Sequence, residues 1–329
     1  MSNYPPPTAF TALSVAGVPT MGMGGYLFTG NWWFVDPLSG SDGNPGSADA
    51  PFKTLGQAQL KATAGQNDVV VLNSTATAYQ SSSVLWAKNQ VHLIGTNSGQ
   101  FNGKRSRIAP ATTLAGTAGF NNLVNVTAQN CLFMNLGTFY GFSNTAAALV
   151  CWSDTGGRNN YVNCEFNGFG DGTGGTGTSN LTGARAFYFA SNTGETTWDN
   201  CYFGVDTTVR NVTNYTLEIA GGSARLKFRR CTFAADLGSS GTASSHVLIG
   251  ADGIDRWCDF EWCRFTADTL SGGSAMAQAF NVNAAAGGVV ALDYCTSFGV
   301  TAWETSASNS VFTNMPVPQS ATGGKMIVI

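Results

Sequence analysis

Four charged residues recur at nearly constant spacing: Asp199, Arg229, Glu261 and Asp293 are separated by 30, 32 and 32 residues. Carboxylates held side by side can do acid–base chemistry, one keeping its proton while its neighbour stays ionised. If each interval is one turn of a coiled chain, Glu261 and Asp293 lie about 4.8 Å apart, one strand spacing. That is close to the ~5–5.5 Å of a retaining glycosidase pair. The opposing reading is a surface ladder, with Arg229 neutralising Asp199 and Glu261, which contributes little. The row also lacks an obvious apolar wall to raise one carboxyl pKa. The expectation is therefore a non-enzyme, with Glu261, Asp293 and Asp199 as the catalytic candidates if it is one.

Other reactive groups are sparse. The two histidines, His92 and His246, lie near no nucleophile motif, and alternation with Val91 and Leu93 turns His92 out of a strand. No phosphate loop or dinucleotide fingerprint is present, so no cofactor is expected. "DPLSGSDGN" offers Asp36, Asp42 and Asn44 as hard oxygen ligands on a Gly-rich turn, a weak calcium candidate that Asx turns also produce without metal. "ARLKFRRC" turns Arg225, Lys227 and Arg229 outward, with Arg230 following. This basic stripe either meets an acidic partner or balances Asp199 and Glu261. A net charge of −3 with only 16 Lys and Arg argues against a nucleic-acid surface. No apolar run approaches the ~20 residues that span a bilayer, so no membrane segment is expected.

The elements that must position these groups announce themselves through cysteine. Cys131, Cys164, Cys201, Cys231, Cys263 and Cys295 follow one another at 33, 37, 30, 32 and 32 residues. Phe133, Phe166, Phe203, Phe233 and Phe265 stand two places after the first five, and Phe298 three places after the last. Zinc would need paired Cys or His at short spacing, and disulfides between neighbouring turns would need an oxidising compartment. Packing is the leading reading. Aligned on cysteine, positions −5 and −3 are mostly apolar, −2 is mostly polar, and 0 and +2 are apolar again. The two-residue alternation of a strand therefore changes phase just before the cysteine, which calls for a corner. Asn130, Asn163 and Asn200 occupy that place in three units, and Asn tolerates left-handed backbone. A further strand precedes each corner, as in "AFYFAS" and "HVLIGA". Units of this kind bury a core only by stacking. The expected fold is all-β, a right-handed parallel β-helix with interior Cys and Phe columns, its hand following that of parallel crossovers.

Upstream, Phe34–Asp36, Gly40/Asp42/Asn44/Gly46, Pro51–Leu55 and Gly65/Asp68/Val69 form an ordered series, with Thr54 placed to cap a short helix over 55–63. This series resembles the opening segment of right-handed β-helix proteins, among them lyases, tailspikes and virion proteins, and the resemblance implies a helix plugging the open end of the core. The chain divides into an uncharged arm (1–31), an opening segment with its cap (32–68), the β-helix (69–314) and a C-terminal tail (315–329). The Pro- and Gly-rich arm, leading straight into the β-helix, resembles structural proteins of tailed bacteriophage virions. That resemblance implies a non-enzymatic capsid decoration protein, made in the host cytoplasm and located in the virion. It would be a homotrimer docking on the major capsid protein or another virion protein. Phe10, Leu13, Val15, Val18, Met21, Met23, Tyr26 and Leu27 would be the docking residues, with Arg225, Lys227, Arg229 and Arg230 as a second contact. The alternative is a tailspike-like polysaccharide depolymerase, or a passive module binding a host-surface glycan through aromatics such as Trp152 and Tyr202.

Overall fold

The computed structural model describes residues 14–15, 18–19, 28–97, 103–111, 122–139, 150–168, 184–210, 212–238, 244–269, 272–305 and 311–313. Most of these residues wind into a right-handed parallel β-helix, whose described strands form parallel sheets of ten, eight and seven strands. One turn, Thr196–Asp199, Tyr202–Arg210 and Tyr215–Ile219, contributes a strand to each sheet. Of the expected arm, residues 1–13, 16–17 and 20–27 lie outside the described residues, as does the expected tail; Ser14–Val15 and Val18–Pro19 form a short antiparallel pair, and residues 28–31 lead into strand Trp32–Val35.

Like residues stack because the register repeats from turn to turn. On the inner side of the ten-stranded sheet, Phe133, Tyr161, Trp198, Phe228, Phe260 and Leu292 pair in succession. Trp198 and Phe228 lie face to face at 4.2 Å, and Phe228 and Phe260 at 4.5 Å. The eight-stranded sheet contributes Phe166, Phe203, Phe233 and Phe265, with both Phe203–Phe233 and Phe233–Phe265 stacked at 4.8 Å. These spacings match the ~4.8 Å strand separation, so an aromatic column fits where each turn carries one ring.

Between the two sheets six successive turns make the expected corner. Asn135, Asn163, Asn200, Arg230, Trp262 and Tyr294 have φ of 56°, 52°, 53°, 54°, 56° and 51°, all left-handed. Directly after the corner, Cys164, Cys201, Cys231, Cys263 and Cys295 point inward as free thiols, the first four buried. Cys164 Sγ lies 3.4 Å from the Phe133 carbonyl of the preceding turn, and Cys201, Cys231 and Cys263 repeat the contact with Tyr161, Trp198 and Phe228 at 3.5 Å. A thiol is small enough for the corner and donates a weak hydrogen bond to an otherwise dry carbonyl.

The first Cys-x-Phe unit is out of register with the rest. Phe133 pairs with Tyr161, and the counterpart of Phe166 is Thr138. Leu136, following the left-handed Asn135, therefore heads the thiol column. Cys131 belongs to the opposite corner, which shares a local pattern of left-handed residue, small inward residue and strand. There its backbone N–H donates to Asn159 Oδ1 at 2.9 Å. Phe298, in the last unit, also departs from the interior column and is exposed.

The cap forms as its sequence dictates. Helix Leu55–Lys61 is closed at its start by Thr54, whose hydroxyl accepts from Gln57 N. It buries Leu55 and Ala58 against the first turns of the core.

Candidate functional site

The outer side of the ten-stranded sheet carries two columns that change character along the helix axis. One column runs Phe34, Val71, Ile94, Met134, Val162, Asp199, Arg229, Glu261, Asp293. Beside it, Asn160, Thr197, Lys227, Asp259 and Ala291 pair in order. The early turns are apolar, and the later ones are charged. Strand pairing thus places Asp199, Arg229, Glu261 and Asp293 on four successive turns, as their spacing predicts, and adds Asp259, which the sequence reading passed over.

The basic stripe is paired. Arg229 Nη2 and Arg230 Nη2 each reach Asp199 at 2.7 Å, Lys227 Nζ reaches Glu261 Oε1 at 2.5 Å, and Arg225 Nη1 reaches Glu195 Oε1 at 2.5 Å. Burial pushes the Asp259 carboxyl above its ordinary value; Lys227 opposes this, while the nearby charges of Glu261 and Asp293 add to it. Asp259 is thus biased to keep a proton beside Glu261, which is ion-paired with Lys227.

The corner next to these carboxylates is the least expected feature. On three turns it carries Asn, and the side chains of Asn135, Asn163 and Asn200 form a ladder, with Asn163 Nδ2 donating to Asn135 Oδ1 at 2.7 Å and Asn200 Nδ2 to Asn163 Oδ1 at 3.3 Å. On the next three turns Arg230, Trp262 and Tyr294 hold the same left-handed backbone, which is unfavourable for such side chains. Trp262 and Tyr294 stack at 4.5 Å and 12° yet remain 63% and 60% exposed. A cleft of about 340 Å³ lined by Val162, Asn163, Asp199, Asn200 and Arg230 continues the same edge. The surface therefore joins an aromatic platform, a polar cleft and a carboxylate cluster.

Other candidates fall elsewhere. Trp152 and Tyr202, expected as exposed glycan platforms, are buried, and Trp152 Nε1 donates to Tyr161 OH inside the helix. The missed platform, Trp262 and Tyr294, occupies the corner position, where strand alternation makes no prediction. Asp36 accepts from Leu38 N, Ser39 N, Ser39 Oγ and Thr75 Oγ1, while Asp42 accepts from Lys53 N, Thr54 N and Thr54 Oγ1. Burial pushes Asp36 up, but these donors outweigh it and hold its pKa at about 2. Asn44 Nδ2 donates to the Pro51 carbonyl, so the three calcium candidates serve separate turns. Among the described residues no group of three or more His, Cys, Asp or Glu could hold a metal ion.

His92 does face outward but is buried beneath Phe28; its Nδ1 accepts from Leu132 N at 3.0 Å, and burial pushes its pKa down to about 4. His246 is fully buried near Phe265 and is held well below its ordinary pKa by burial and by Arg210. Inside the helix the buried Asp154 carboxylate, unflagged by the sequence, accepts from Gly156 N, Gly157 N, Asn159 Nδ2 and Tyr161 OH. It fastens a corner rather than facing a ligand.

No family profile matches the chain, and no curated protein matches it. Solved structures do. The chain is similar to a pectin methylesterase in complex with a hexasaccharide (TM-score 0.54, 14% identity, 85% of this chain and 87% of that one). It is equally similar to pectin methylesterase PemA from Erwinia chrysanthemi (0.54, 15%, 85% and 87%). The native GH136 lacto-N-biosidase from Eubacterium ramulus matches at 0.51 and 12% identity, over 86% of this chain and 59% of that one. At these identities the likeness establishes the right-handed parallel β-helix.

It also corrects the resemblance to phage virion proteins, because the folds matched over most of the chain carry the names of carbohydrate-active enzymes. The expectations built on that resemblance fall with it: a non-enzymatic capsid decoration protein of a bacteriophage, located in the virion.

Proposed function

We propose that this protein is a carbohydrate-active enzyme that binds a polysaccharide along the outer side of the ten-stranded sheet, over its later turns. The observation carrying this reading is the run Arg230, Trp262 and Tyr294 at left-handed corners, where neighbouring turns use Asn. Backbone strain of this kind persists where the side chain is needed for something other than folding. Two stacked, exposed rings suit the apolar face of a sugar, and the Asn and Arg side chains beside them suit its hydroxyls. The glycan-acting names of the folds matched support the same substrate class.

The chemistry follows from the carboxylate cluster. Asp259, biased toward its protonated form, is the group to donate a proton to a leaving oxygen. Glu261 and Asp293, one turn apart, are the groups to attack the reacting carbon or to activate a water against it. Activity then falls as pH rises through the raised pKa of Asp259, since the acid is lost. Incubation with a panel of polysaccharides tests this, reading released reducing ends and, from esterified pectin, released methanol, so that glycosidic and ester cleavage are told apart. Asp259→Asn and Glu261→Gln are expected to abolish release while keeping binding. Binding of a glycan with no product from any substrate would reduce the site to a passive module.

A further inference from the structure

The two corners that flank the ten-stranded sheet change residue in the same way. The first runs Asn67, Gln90, Asn130, Arg158 and Glu195, all left-handed, and the second runs Asn135, Asn163, Asn200 and Arg230. On both, an arginine takes a left-handed place that suits Asn better. Each of these arginines shares a single carboxylate with another one. Arg158 Nε lies 3.5 Å from Glu195 Oε2, and Arg225 Nη1 lies 2.5 Å from Glu195 Oε1. At the other corner Arg229 Nη2 reaches Asp199 Oδ2 at 2.7 Å, while Arg230 Nη2 and Nε reach Asp199 Oδ1 at 2.7 and 3.1 Å. Strand Thr196–Asp199 runs from one carboxylate to the other, so the two sets stand roughly 13 Å apart at ~3.3 Å per residue.

A ladder built for stability would alternate charges one to one, and exposed pairs contribute little in any case. Two arginines on one carboxylate leave a positive charge over in each set. Asp199 is 14% exposed against 45% and 65% for its arginines, so there the cations face outward. Among the described residues Asp199 takes three of their N–H groups, and each guanidinium offers five. Toward the early turns the outer column is apolar from Phe34 to Val162 and cancels none of this excess. On the other side Lys227 neutralises Glu261, and Asp293 lies two turns beyond Arg229, about 10 Å or one Debye length away. We infer that the glycan taken by this face is acidic, its carboxylate or sulfate groups seated on Arg229 and Arg230 at one corner and on Arg158 and Arg225 at the other. The inference rests on the reading of this face as a glycan site and adds what the glycan carries. A guanidinium presents parallel N–H groups that match such anions. The cleft of about 340 Å³ that Arg230 lines with Asn163 and Asn200 gives the acidic group a seat. Held there, it stays on the early-turn side of Glu261 and Asp293 instead of facing their like charge.

Titration calorimetry on the full chain tests it, with an oligogalacturonate, its methyl ester, a chondroitin sulfate oligosaccharide and a dextran oligosaccharide as probes. An acidic probe is expected to bind at least tenfold more tightly than the neutral ones at low salt, an advantage that shrinks as salt rises. Arg158→Asn and Arg230→Asn install the residue that the preceding turn carries at each corner. Each is expected to weaken acidic binding on the order of tenfold, the worth of one hydrogen bond to a charged group, with little change in thermal midpoint. Arg264→Asn, at an exposed arginine of the eight-stranded sheet, is expected to change nothing. Neutral probes that bind as tightly as acidic ones, or acidic binding untouched by both corner variants, overturn the inference and leave the enzymatic reading standing. An equal loss in Arg264→Asn, or equally tight binding of a single-stranded oligonucleotide of the same charge, reduces the effect to general attraction and overturns it as well. No binding of any glycan overturns both readings. Acidic binding that depends on the corner arginines without any product supports the inference and removes only the enzymatic reading. The comparison of acid with methyl ester on the unaltered protein decides the matter if a variant folds poorly.

Discussion

Trp262→Asn separates a residue kept for binding from one kept for folding, because three other turns already carry Asn at this corner. On the stability side, a left-handed L-residue costs about 1–2 kcal/mol, and Asn recovers part of this, on the order of 1 kcal/mol. Against that stands the loss of the Trp262–Tyr294 stack. Such pairs are worth about 0.5–1.5 kcal/mol, and with both rings more than half exposed the lower end applies. The two effects nearly cancel, so the unfolding free energy should change by less than ~1 kcal/mol, with relief of strain setting the favourable sign. On the binding side, removing a Trp platform at the centre of a contact costs about 2 kcal/mol or more, roughly a thirtyfold weaker Kd. Equilibrium urea unfolding gives the first quantity, and titration calorimetry with the glycan found by screening gives the second. A variant that loses more than ~2 kcal/mol of stability while binding its glycan normally would refute the argument, since Trp262 would then be part of the packing.

Three other outcomes follow from the same structure. Phe203→Ala should cost ~3–5 kcal/mol toward the upper end, because rings of adjacent turns cannot close a gap whose spacing the strand ladder sets; a loss under ~2 kcal/mol in urea unfolding would show that the interior relaxes. Thiol reagents at pH 8 should leave the seven buried cysteines unmodified in the native protein and label only the partly exposed Cys295 slowly, whereas denaturant should release all eight; burial pushes Cys131 and Cys151 up to about 12, which removes the reactive thiolate. The depressed pKa of His92, about 4 against 6.5 when unfolded, means that folding favours the neutral ring. Its contribution is therefore present above pH 6.5 and lost as pH falls toward 4, so the denaturation midpoint should drop between pH 6.5 and 5, and His92→Gln should flatten that slope.

Much of this protein was legible from periodicity. The phase change before Cys164, Cys201, Cys231 and Cys263 required a corner with two inward columns, and a coiled stack of such units has to be a β-helix to bury them. The same spacing was enough to place Asp199, Arg229, Glu261 and Asp293 in one row, because strand period and turn length together define a register. Spacing alone did not assign Cys131 and Phe133, since two corners of each turn share one local pattern and only hydrogen-bonded pairing tells them apart. Nor did it find the site. Trp262 and Tyr294 stand at the corner itself, where alternation is interrupted and a side chain's direction depends on a left-handed φ, while Trp152 and Tyr202, unremarkable in strands, are buried. Asp259 likewise became a candidate only when folding set it beside Glu261 and Asp293 from the same and the neighbouring turn. Fold follows from repeats that are local in sequence; the site follows from contacts between turns some thirty residues apart, which exist only once the chain has coiled.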